Sequence, residues 1–187
     1  MKNKIMIKKY SQFITESSKT GHDYGCMMLY IILDDIQSIH DKIDKEDIYT
    51  EKDDDSYGLE EETHITIKYG FKENVSDHEV LNMCKKSKFS DIKFNKVSLF
   101  ENEKFDVLKF DIKSKVLDDL NEKISKFPNE DKYPEYHAHS TIAYIKKGKG
   151  EKYVKMFKKI DLIGIPDKLV YSNPDNTKLS LDINEIS

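Results

Sequence analysis

Residues 64–69 read His64-Ile65-Thr66-Ile67-Lys68-Tyr69, and residues 139–144 repeat the pattern as His139-Ser140-Thr141-Ile142-Ala143-Tyr144. Both follow His-x-Thr-Ile-x-Tyr, and both are predicted to be β-strands. Because successive side chains of a strand point to opposite faces, each His shares a face with its Thr, and the residues between them face a core. Tyr69 and Tyr144 stand at an odd spacing from their His and are predicted on the packing side. By composition about 0.2 His-x-Thr triplets are expected by chance, so the pair indicates a duplication.

The order of predicted elements around the two stretches is also duplicated. Each half contains a strand, a helix, a loop and a closing strand that carries the His-x-Thr pattern. These are predicted at residues 24–33, 34–43, 44–62 and 63–69, and again at 104–112, 114–127, 128–136 and 137–145. We therefore predict an α+β fold of two pseudo-symmetric lobes, with antiparallel sheets that face a central cleft and helices outside.

The predicted domain organisation follows from this repeat. Residues 1–23 form an N-terminal extension with a short helix, and residues 24–187 form one bilobal domain. The half-repeats cover about residues 24–70 and 104–145, and a terminal hairpin is predicted at about 168–183. Two further elements are predicted between the halves: a helix over 75–89, capped by Ser76, and an irregular strand over 92–99.

Composition limits the classes of partner. The 187 residues carry 31 basic and 35 acidic side chains, for a net charge of −4, which argues against binding along duplex DNA. Every basic residue apart from histidine is a lysine, and arginine is absent from the sequence. Any phosphate must therefore be bound by Lys, His, hydroxyl or backbone N–H groups, without a bidentate guanidinium.

Cysteine and apolar patterns predict a cytoplasmic protein. Cys26 and Cys84 are too few for a disulfide scaffold or a thiolate zinc site, and neither lies near a His-x-Thr motif in the sequence. The first 18 residues have no apolar segment typical of a signal peptide. The longest apolar run, residues 26–33, is too short to cross a bilayer as a helix, so no membrane partner is predicted.

Two facing His/Thr pairs suit phosphodiester chemistry. One imidazole can remove a proton from a hydroxyl while the other protonates the leaving oxygen, since the ordinary pKa of histidine is about 6.5. The threonine hydroxyls can donate hydrogen bonds to the phosphate oxygens. We therefore predict His64, Thr66, His139 and Thr141 as catalytic residues, with no metal and no cofactor. His137 shares a face with His139, so a His-x-His metal site is the alternative to a supporting role; His40 is predicted to be structural or solvated.

These features resemble the two-histidine phosphoesterase superfamily, and within it the phage anti-CBASS phosphodiesterases that degrade cyclic oligonucleotide signals. The similar stretches are residues 24–30, 58–60, 64–70, 105–111 and 136–145, and the opening residues 10–17 resemble a common phage protein start. Two departures are the long acidic loop 44–62 and Ala138, where the resemblance leads us to expect proline.

The resemblance implies a metal-independent enzyme that cleaves 3′–5′-linked cyclic di- and trinucleotides in the cytosol of a phage host. It also implies that Tyr24 and Tyr133 bind the substrate by stacking on nucleobases, with ordinary packing as the alternative for both. Two other functions remain open: an RNA 2′,3′-cyclic phosphodiesterase or RNA-end processing enzyme, and a non-catalytic protein that sequesters cyclic nucleotides. The sequence does not assign the base and the acid, and it identifies no protein partner.

Overall fold

The strands form two antiparallel sheets in the computed structural model, which describes residues 24–54, 56–130 and 135–183. In chain order the strands are β1 (Gly25–Ile32), β2 (His64–Phe71), β3 (Ile92–Phe94), β4 (Val97–Glu101), β5 (Phe105–Asp111), β6 (His139–Lys146), β7 (Leu162–Ser172) and β8 (Lys178–Asp182). The helices are α1 (Ile36–His40), α2 (Asp77–Cys84), α3 (Lys115–Ile124) and α4 (Glu151–Met156), with a 3₁₀ turn at Lys45–Asp47. The predicted α+β class with antiparallel sheets is confirmed.

The two sheets differ in size. The first has the order β2-β1-β7-β3, with β8 also paired to β7, and the second has the order β4-β5-β6. Each half-repeat supplies a hairpin-like pair, β1 with β2 and β5 with β6, at the positions predicted from the repeat. The pseudo-symmetry is therefore limited to these pairs, because the C-terminal strands extend the first sheet only.

The irregular strand predicted over residues 92–99 is two strands in different sheets. β3 pairs with β7, whereas β4 pairs with β5. Ile92 and Phe94 are buried and so is Val97, so the inward positions change parity between β3 and β4. A single regular strand cannot place all three on one face, and the chain passes from one sheet to the other instead.

The terminal hairpin is longer than predicted. β7 begins at Leu162 and lies between β1 and β3, rather than at the edge of the molecule. Its register against β1 shifts beside Pro166, where a residue without an N–H is tolerated at the irregularity. Gly164 is close to Ile31 and Phe94, so a larger side chain would not fit there. These two residues interrupt the strand pattern, which explains why only the end of β7 was predicted.

The connecting segment of each half forms backbone hydrogen bonds with the strand that carries the other half's motif. In the first half, the Tyr49 N–H donates to the Tyr144 carbonyl at 2.9 Å, and the Tyr144 N–H donates to the Gly58 carbonyl at 2.7 Å. In the second half, the Glu130 N–H donates to the Gly70 carbonyl at 2.8 Å. These bonds cover part of the edges of β2 and β6, where unpaired backbone groups would otherwise be open to another chain.

Helix packing also joins the two halves of the chain. α3 buries Leu117, Leu120 and Ile124, and it packs on β2 and α2. The Asn121 amide donates to the Ile67 carbonyl at 2.6 Å, which ties α3 to the middle of β2. Phe94 of β3 and Phe110 of β5 pack edge to face at 5.1 Å, so one core connects both sheets.

Two remaining predictions concern local features. Ser76 caps α2 as predicted, since its hydroxyl accepts from the Glu79 N–H at 3.4 Å, although the helix is shorter than residues 75–89. The helix predicted within residues 1–23 lies outside the described residues. Within the described ranges, no helix combines the length and the apolar character that crossing a bilayer would require.

Candidate functional site

The two motif strands lie against each other where the sheets meet. β2 is the edge strand of the first sheet, β6 is the edge strand of the second, and the two strands are in contact. His64 and His139 each begin their strand. His64 is among the charges that lower the pKa of His139, which places the two imidazoles within electrostatic reach of each other.

The predicted alternation of faces holds through the first four residues of each motif. Ile65 and Ile67 are fully buried between the partly exposed His64 and Thr66. Ser140 and Ile142 are likewise buried, while His139 is exposed and Thr141 is partly exposed. Each His and Thr therefore looks away from the core, toward the junction between the lobes, which we call the cleft.

Each imidazole is held by a hydrogen bond of the same kind. The Nδ1 atom of His64 lies 2.8 Å from the carbonyl oxygen of Glu62, and Nδ1 of His139 lies 2.8 Å from the carbonyl oxygen of His137. A carbonyl oxygen can only accept, so Nδ1 carries the proton in each ring. In the neutral form Nε2 then has an unshared electron pair, and in the charged form it has a proton to give. Both rings are oriented for acid–base work at Nε2.

A β-bulge interrupts β2 directly after the His-x-Thr pair. Thr66 lies opposite Met28, and Lys68 lies opposite Met27, so Ile67 is an extra residue in this strand.

β6 has the same irregularity at the same place in its motif. Thr141 lies opposite Lys109, and Ala143 lies opposite Leu108, which makes Ile142 the extra residue. The bulge falls on the shared isoleucine of His-x-Thr-Ile-x-Tyr in both strands, so the duplication extends to this detail of the backbone.

The paired bulges overturn the prediction for Tyr69 and Tyr144. A bulge puts one more residue on a strand than on its partner, so the simple alternation of faces is broken there. Lys68 and Ala143 are buried, and Tyr69, at 49 % exposure, and the partly exposed Tyr144 face outward. Both tyrosines lie on the face of the histidines, not on the packing side.

His64 packs on an aromatic ring and has charged groups nearby. Tyr30 lies opposite it on β1, and the two rings stack with centroids 5.6 Å apart. The Lys168 ammonium lies 5.0 Å from the centroid of the same tyrosine ring. The Glu60 carboxylate lies 3.9 Å from His64 Nδ1, and burial raises the pKa of Glu60 while the charge of His64 opposes that rise.

Beside this ring, the first sheet presents a small apolar cluster to the cleft: Met28, Tyr30, Val170 and Cys26. Cys26 shares a hydrogen bond with Thr66, so the expectation that no cysteine lies near a motif is wrong. The separation of 40 residues in sequence concealed a pairing that β1 and β2 create. Burial raises the pKa of Cys26 to about 12, which keeps the thiol protonated and a poor nucleophile.

The surroundings of His139 are charged. Asp111 lies opposite it on β5, and Lys109 lies opposite Thr141. The Lys109 ammonium donates to Asp111 Oδ1 at 2.5 Å and to Ser98 Oγ at 3.0 Å. The two histidines therefore share one geometry but have different neighbours: the Tyr30 ring and the Glu60 carboxylate beside His64, and the Lys109–Asp111 ion pair beside His139.

The pKa of His139 is lowered from its ordinary value. Burial at the cleft floor is the largest cause, and the positive charges of Lys109 and His64 lower it further. The hydrogen bond to the His137 carbonyl and the charge of Asp111 act in the opposite direction. The ring is open to solvent yet surrounded by protein on the walls of the cleft, which accounts for a lowered pKa in an accessible residue.

The structure places Tyr24 at the far end of β2 from His64. Its ring packs edge to face on Tyr69 at 5.9 Å, and its hydroxyl donates to Glu130 at 3.0 Å. Tyr69 is the fifth residue after His64 on β2, a distance of about 16 Å along the strand. Tyr133, the other predicted base-stacking residue, lies outside the described residues.

A second aromatic group lies at the corresponding end of β6. Tyr144 packs against Tyr57 at 5.2 Å and against Phe105 at 5.4 Å, and Tyr49 joins the same cluster. Tyr49 and Tyr57 belong to the acidic segment 44–62, which the sequence predicted only as a loop. Aromatic groups therefore stand at both ends of the cleft, one on each lobe.

The arrangement gives no support to a metal site at His137. That side chain is 79 % exposed, and its Nε2 lies 3.5 Å from Glu135. Among the described residues, no three His, Cys, Asp or Glu side chains come close enough together to hold a metal ion. The contribution of His137 to the site is its carbonyl, which orients His139.

Sequence reasoning missed four groups beside the motifs: Tyr30 on β1, Glu60 in the segment before β2, and Lys109 and Asp111 on β5. A signal for β5 was present, because its residues alternate in burial from Phe105 to Asp111 and leave Lys109 and Asp111 on the outward face. The register that sets them opposite Thr141 and His139 depends on the bulge at Ile142, which the sequence pattern does not reveal.

Comparison with known proteins shows the fold. No protein-family model and no curated protein matches the sequence. Among solved structures, Kluyveromyces marxianus Usb1 with uridine monophosphate is similar at 11 % identity with a TM-score of 0.52, covering 86 % of this chain and 98 % of that one. The chain therefore has the two-lobed fold expected from its resemblance to two-histidine phosphoesterases.

Proposed function

We propose that this protein is a phosphodiesterase of the two-histidine type that needs no metal ion. The observation that carries the proposal is the identical orientation of His64 and His139, whose Nδ1 atoms are both bound to a carbonyl oxygen two residues earlier. Two imidazoles with Nε2 directed outward, one on each lobe, supply a base and an acid on opposite sides of a phosphate.

The two histidines take different roles in this proposal. His139 has a lowered pKa, so its neutral form accepts a proton near neutral pH and acts as the base. His64, whose Nδ1 lies 3.9 Å from the Glu60 carboxylate, then acts as the acid. Thr66 and Thr141 donate hydrogen bonds to the non-bridging phosphate oxygens, where negative charge grows in the transition state.

The proposed reaction is an intramolecular transfer. The ribose 2′-oxygen bonds to the adjacent phosphorus as its proton passes to Nε2 of His139. The bond from phosphorus to the 5′-oxygen breaks, and that oxygen takes the proton from Nε2 of His64. The products are a 2′,3′-cyclic phosphate and a 5′-hydroxyl, and water can open the cyclic phosphate with the two roles exchanged.

The proposed substrates are 3′–5′-linked cyclic di- and trinucleotides, such as cyclic GMP-AMP, degraded in the cytosol of a phage host to block CBASS immunity. This finer assignment rests on the sequence resemblance to anti-CBASS phosphodiesterases. The apolar cluster around Met28 and Tyr30 and the aromatic groups at Tyr24 and Tyr144 support a ligand that presents bases on both sides of a phosphate.

The structural comparison favours a second candidate, an enzyme that acts on RNA ends, because the similar Usb1 structure holds uridine monophosphate. One assay separates the candidates: the protein is incubated in EDTA with cyclic GMP-AMP or with a short oligouridine, and the products are separated. We expect linear products from the cyclic substrate. Cleavage of oligouridine alone would select the RNA-end enzyme, and tight binding without cleavage would select a sequestering protein. Activity that is lost in EDTA and restored by zinc would contradict the metal-independent mechanism.

A further inference from the structure

A phosphate in the cleft needs a positive charge that the first lobe does not provide opposite its motif. On β1 the residues opposite His64 and Thr66 are Tyr30 and Met28. The chain contains no arginine, so the cation must be a lysine or an imidazolium. Lys109, opposite Thr141 on β5, is the lysine that the second sheet sets directly beside a motif threonine.

The register puts Lys109 on the cleft face. Residues directly opposite each other on antiparallel strands lie on the same side of the sheet, with Cβ atoms about 5 Å apart. Lys109 therefore stands next to Thr141, and Asp111 stands next to His139. The influence of both charges on the pKa of His139 agrees with this placement.

Lys109 is held in position rather than extended into solvent. Its side chain is only 15 % exposed, and its ammonium donates to Asp111 and Ser98. An ammonium has three N–H donors, and these two bonds, its hydrogen bonds within the described residues, use two of them. The third donor is available to a ligand without displacement of either partner.

Asp111 is a permanent anion that fixes this lysine. Burial would raise its pKa, but hydrogen bonds from Lys109, Lys96 and Ser98 hold the pKa well below its usual range. Lys96 reaches the other carboxylate oxygen at 2.9 Å from the solvent side. Because Asp111 is bound by two lysines, it does not cancel the positive charge at the site.

We propose that Lys109 is a third catalytic group of the two-histidine centre: its ammonium binds a non-bridging oxygen of the scissile phosphate beside Thr141, and Asp111 and Ser98 are the positioning residues that aim it. This inference rests on the proposed phosphodiesterase function. It makes the cleft asymmetric, with the phosphate charge met by the second lobe and a nucleobase received by the apolar cluster of the first.

The test compares Lys109→Met with Lys104→Met, a matched lysine on the same lobe that is 72 % exposed and forms an ion pair with Glu51. In turnover of cyclic GMP-AMP, we expect Lys109→Met to lose about 100-fold in kcat, the scale of one lost oxyanion donor. The kcat of Lys104→Met should stay within about twofold of that of wild type, since surface ion pairs contribute little to stability. Lys109→Arg, which keeps the charge, should recover part of the activity.

A second readout separates this role from a structural one. NMR titration of His139 should give a higher pKa in Lys109→Met, because the positive charge that lowers it is gone. Full activity of Lys109→Met, or an unchanged His139 titration in a folded variant, would overturn the proposal.

If the wild-type protein cleaves neither nucleotide, the proposed function fails, and binding decides the role of Lys109. Wild type should then bind uridine 3′-monophosphate at least tenfold more tightly than uridine, and Lys109→Met should lose that difference. Equal preference in the two proteins, or no preference in either, would overturn the inference independently of catalysis.

Discussion

The side chains of His64 and His139 make the same kind of hydrogen bond but have different neighbours. Replacing either one should reduce turnover in the same way. We expect His64→Ala and His139→Ala each to reduce turnover by 10²–10⁴, the range of general acid–base catalysis. The fold should persist, since both side chains lie at the cleft surface. Product formation at saturating substrate measures the effect, with thermal unfolding as the control for folding.

A variant that retains activity within about threefold of wild type would remove that histidine from the mechanism. Thr66→Val and Thr141→Val are milder variants for comparison, because each removes one hydrogen bond to the phosphate and keeps the shape of the side chain. We expect them to be affected less than the histidine variants.

The lowered pKa of His139 has a kinetic consequence at the scale of one residue. A base must be neutral to accept a proton, so the rate falls on the acid side as His139 becomes protonated. Because the pKa of His139 lies below the ordinary 6.5, the acid limb of kcat/KM should have its midpoint below 6.5. A midpoint above that value, measured over pH 4.5–8 with wild type, would assign the base to another group.

At the scale of single elements, α1 contains a second histidine that responds to pH. His40 is 6 % exposed and packs beneath β6, and its Nε2 has no hydrogen-bond partner among the described residues. Burial lowers its pKa, and a hydrogen bond to the Ile142 backbone opposes this. Its predicted structural role agrees with this position.

This burial predicts how stability depends on pH. The folded pKa of His40 lies below its unfolded value of 6.5, so between the two values the unfolded chain binds a proton that the native protein does not. The free energy of unfolding should be fully retained above 6.5 and should fall as pH decreases, by at most about 1.4 kcal/mol per pH unit for one proton.

Urea unfolding at pH 5.5 and 7.5 would measure this, and His40→Leu should show a smaller decrease than wild type. His139 contributes with the same sign, so the decrease should not vanish. The same decrease in His40→Leu and wild type would show that His40 is not responsible.

The elements also define what the sequence could predict. Residue types and alternation located β1, β2, β5 and β6 and the outward His/Thr faces, because local pattern determines which side of a strand is buried. The face of Tyr69 and Tyr144 was predicted wrongly, because the bulge before each tyrosine breaks the alternation of faces. The residue types of the strand do not reveal that bulge. Neither the division between β3 and β4 nor the pairing of Lys109 with Thr141 is a local property, since both depend on which strands become neighbours.

At the scale of the whole molecule, the exchange of connecting segments couples the two lobes. The segment 44–62 is bonded to β6, and the segment after α3 is bonded to β2. The segment that precedes each histidine therefore belongs to one half of the chain and is bonded to the other half. This arrangement fixes the relative position of the two imidazoles, which no single lobe could do.

The assembled cleft finally restricts the nucleophile. Its described residues bring together imidazoles, hydroxyls, a protonated thiol and lysines. The easiest nucleophile is then one already next to the phosphorus, and a ribose 2′-hydroxyl has that advantage of proximity. In the proposed reaction, the His139 imidazole needs only to remove its proton as the new bond forms.

A cyclic dinucleotide built from 2′-deoxyribose keeps the bases and phosphates but lacks this hydroxyl. It should bind to the cleft and resist cleavage, because the groups that contact it are unchanged while the nucleophile is missing. The measurement is product formation from ribose and deoxyribose versions under identical conditions, with competition between them as the control for binding. Comparable rates for both would mean that water attacks the phosphorus directly, and the assignment of His139 as the base for a 2′-hydroxyl would then be wrong.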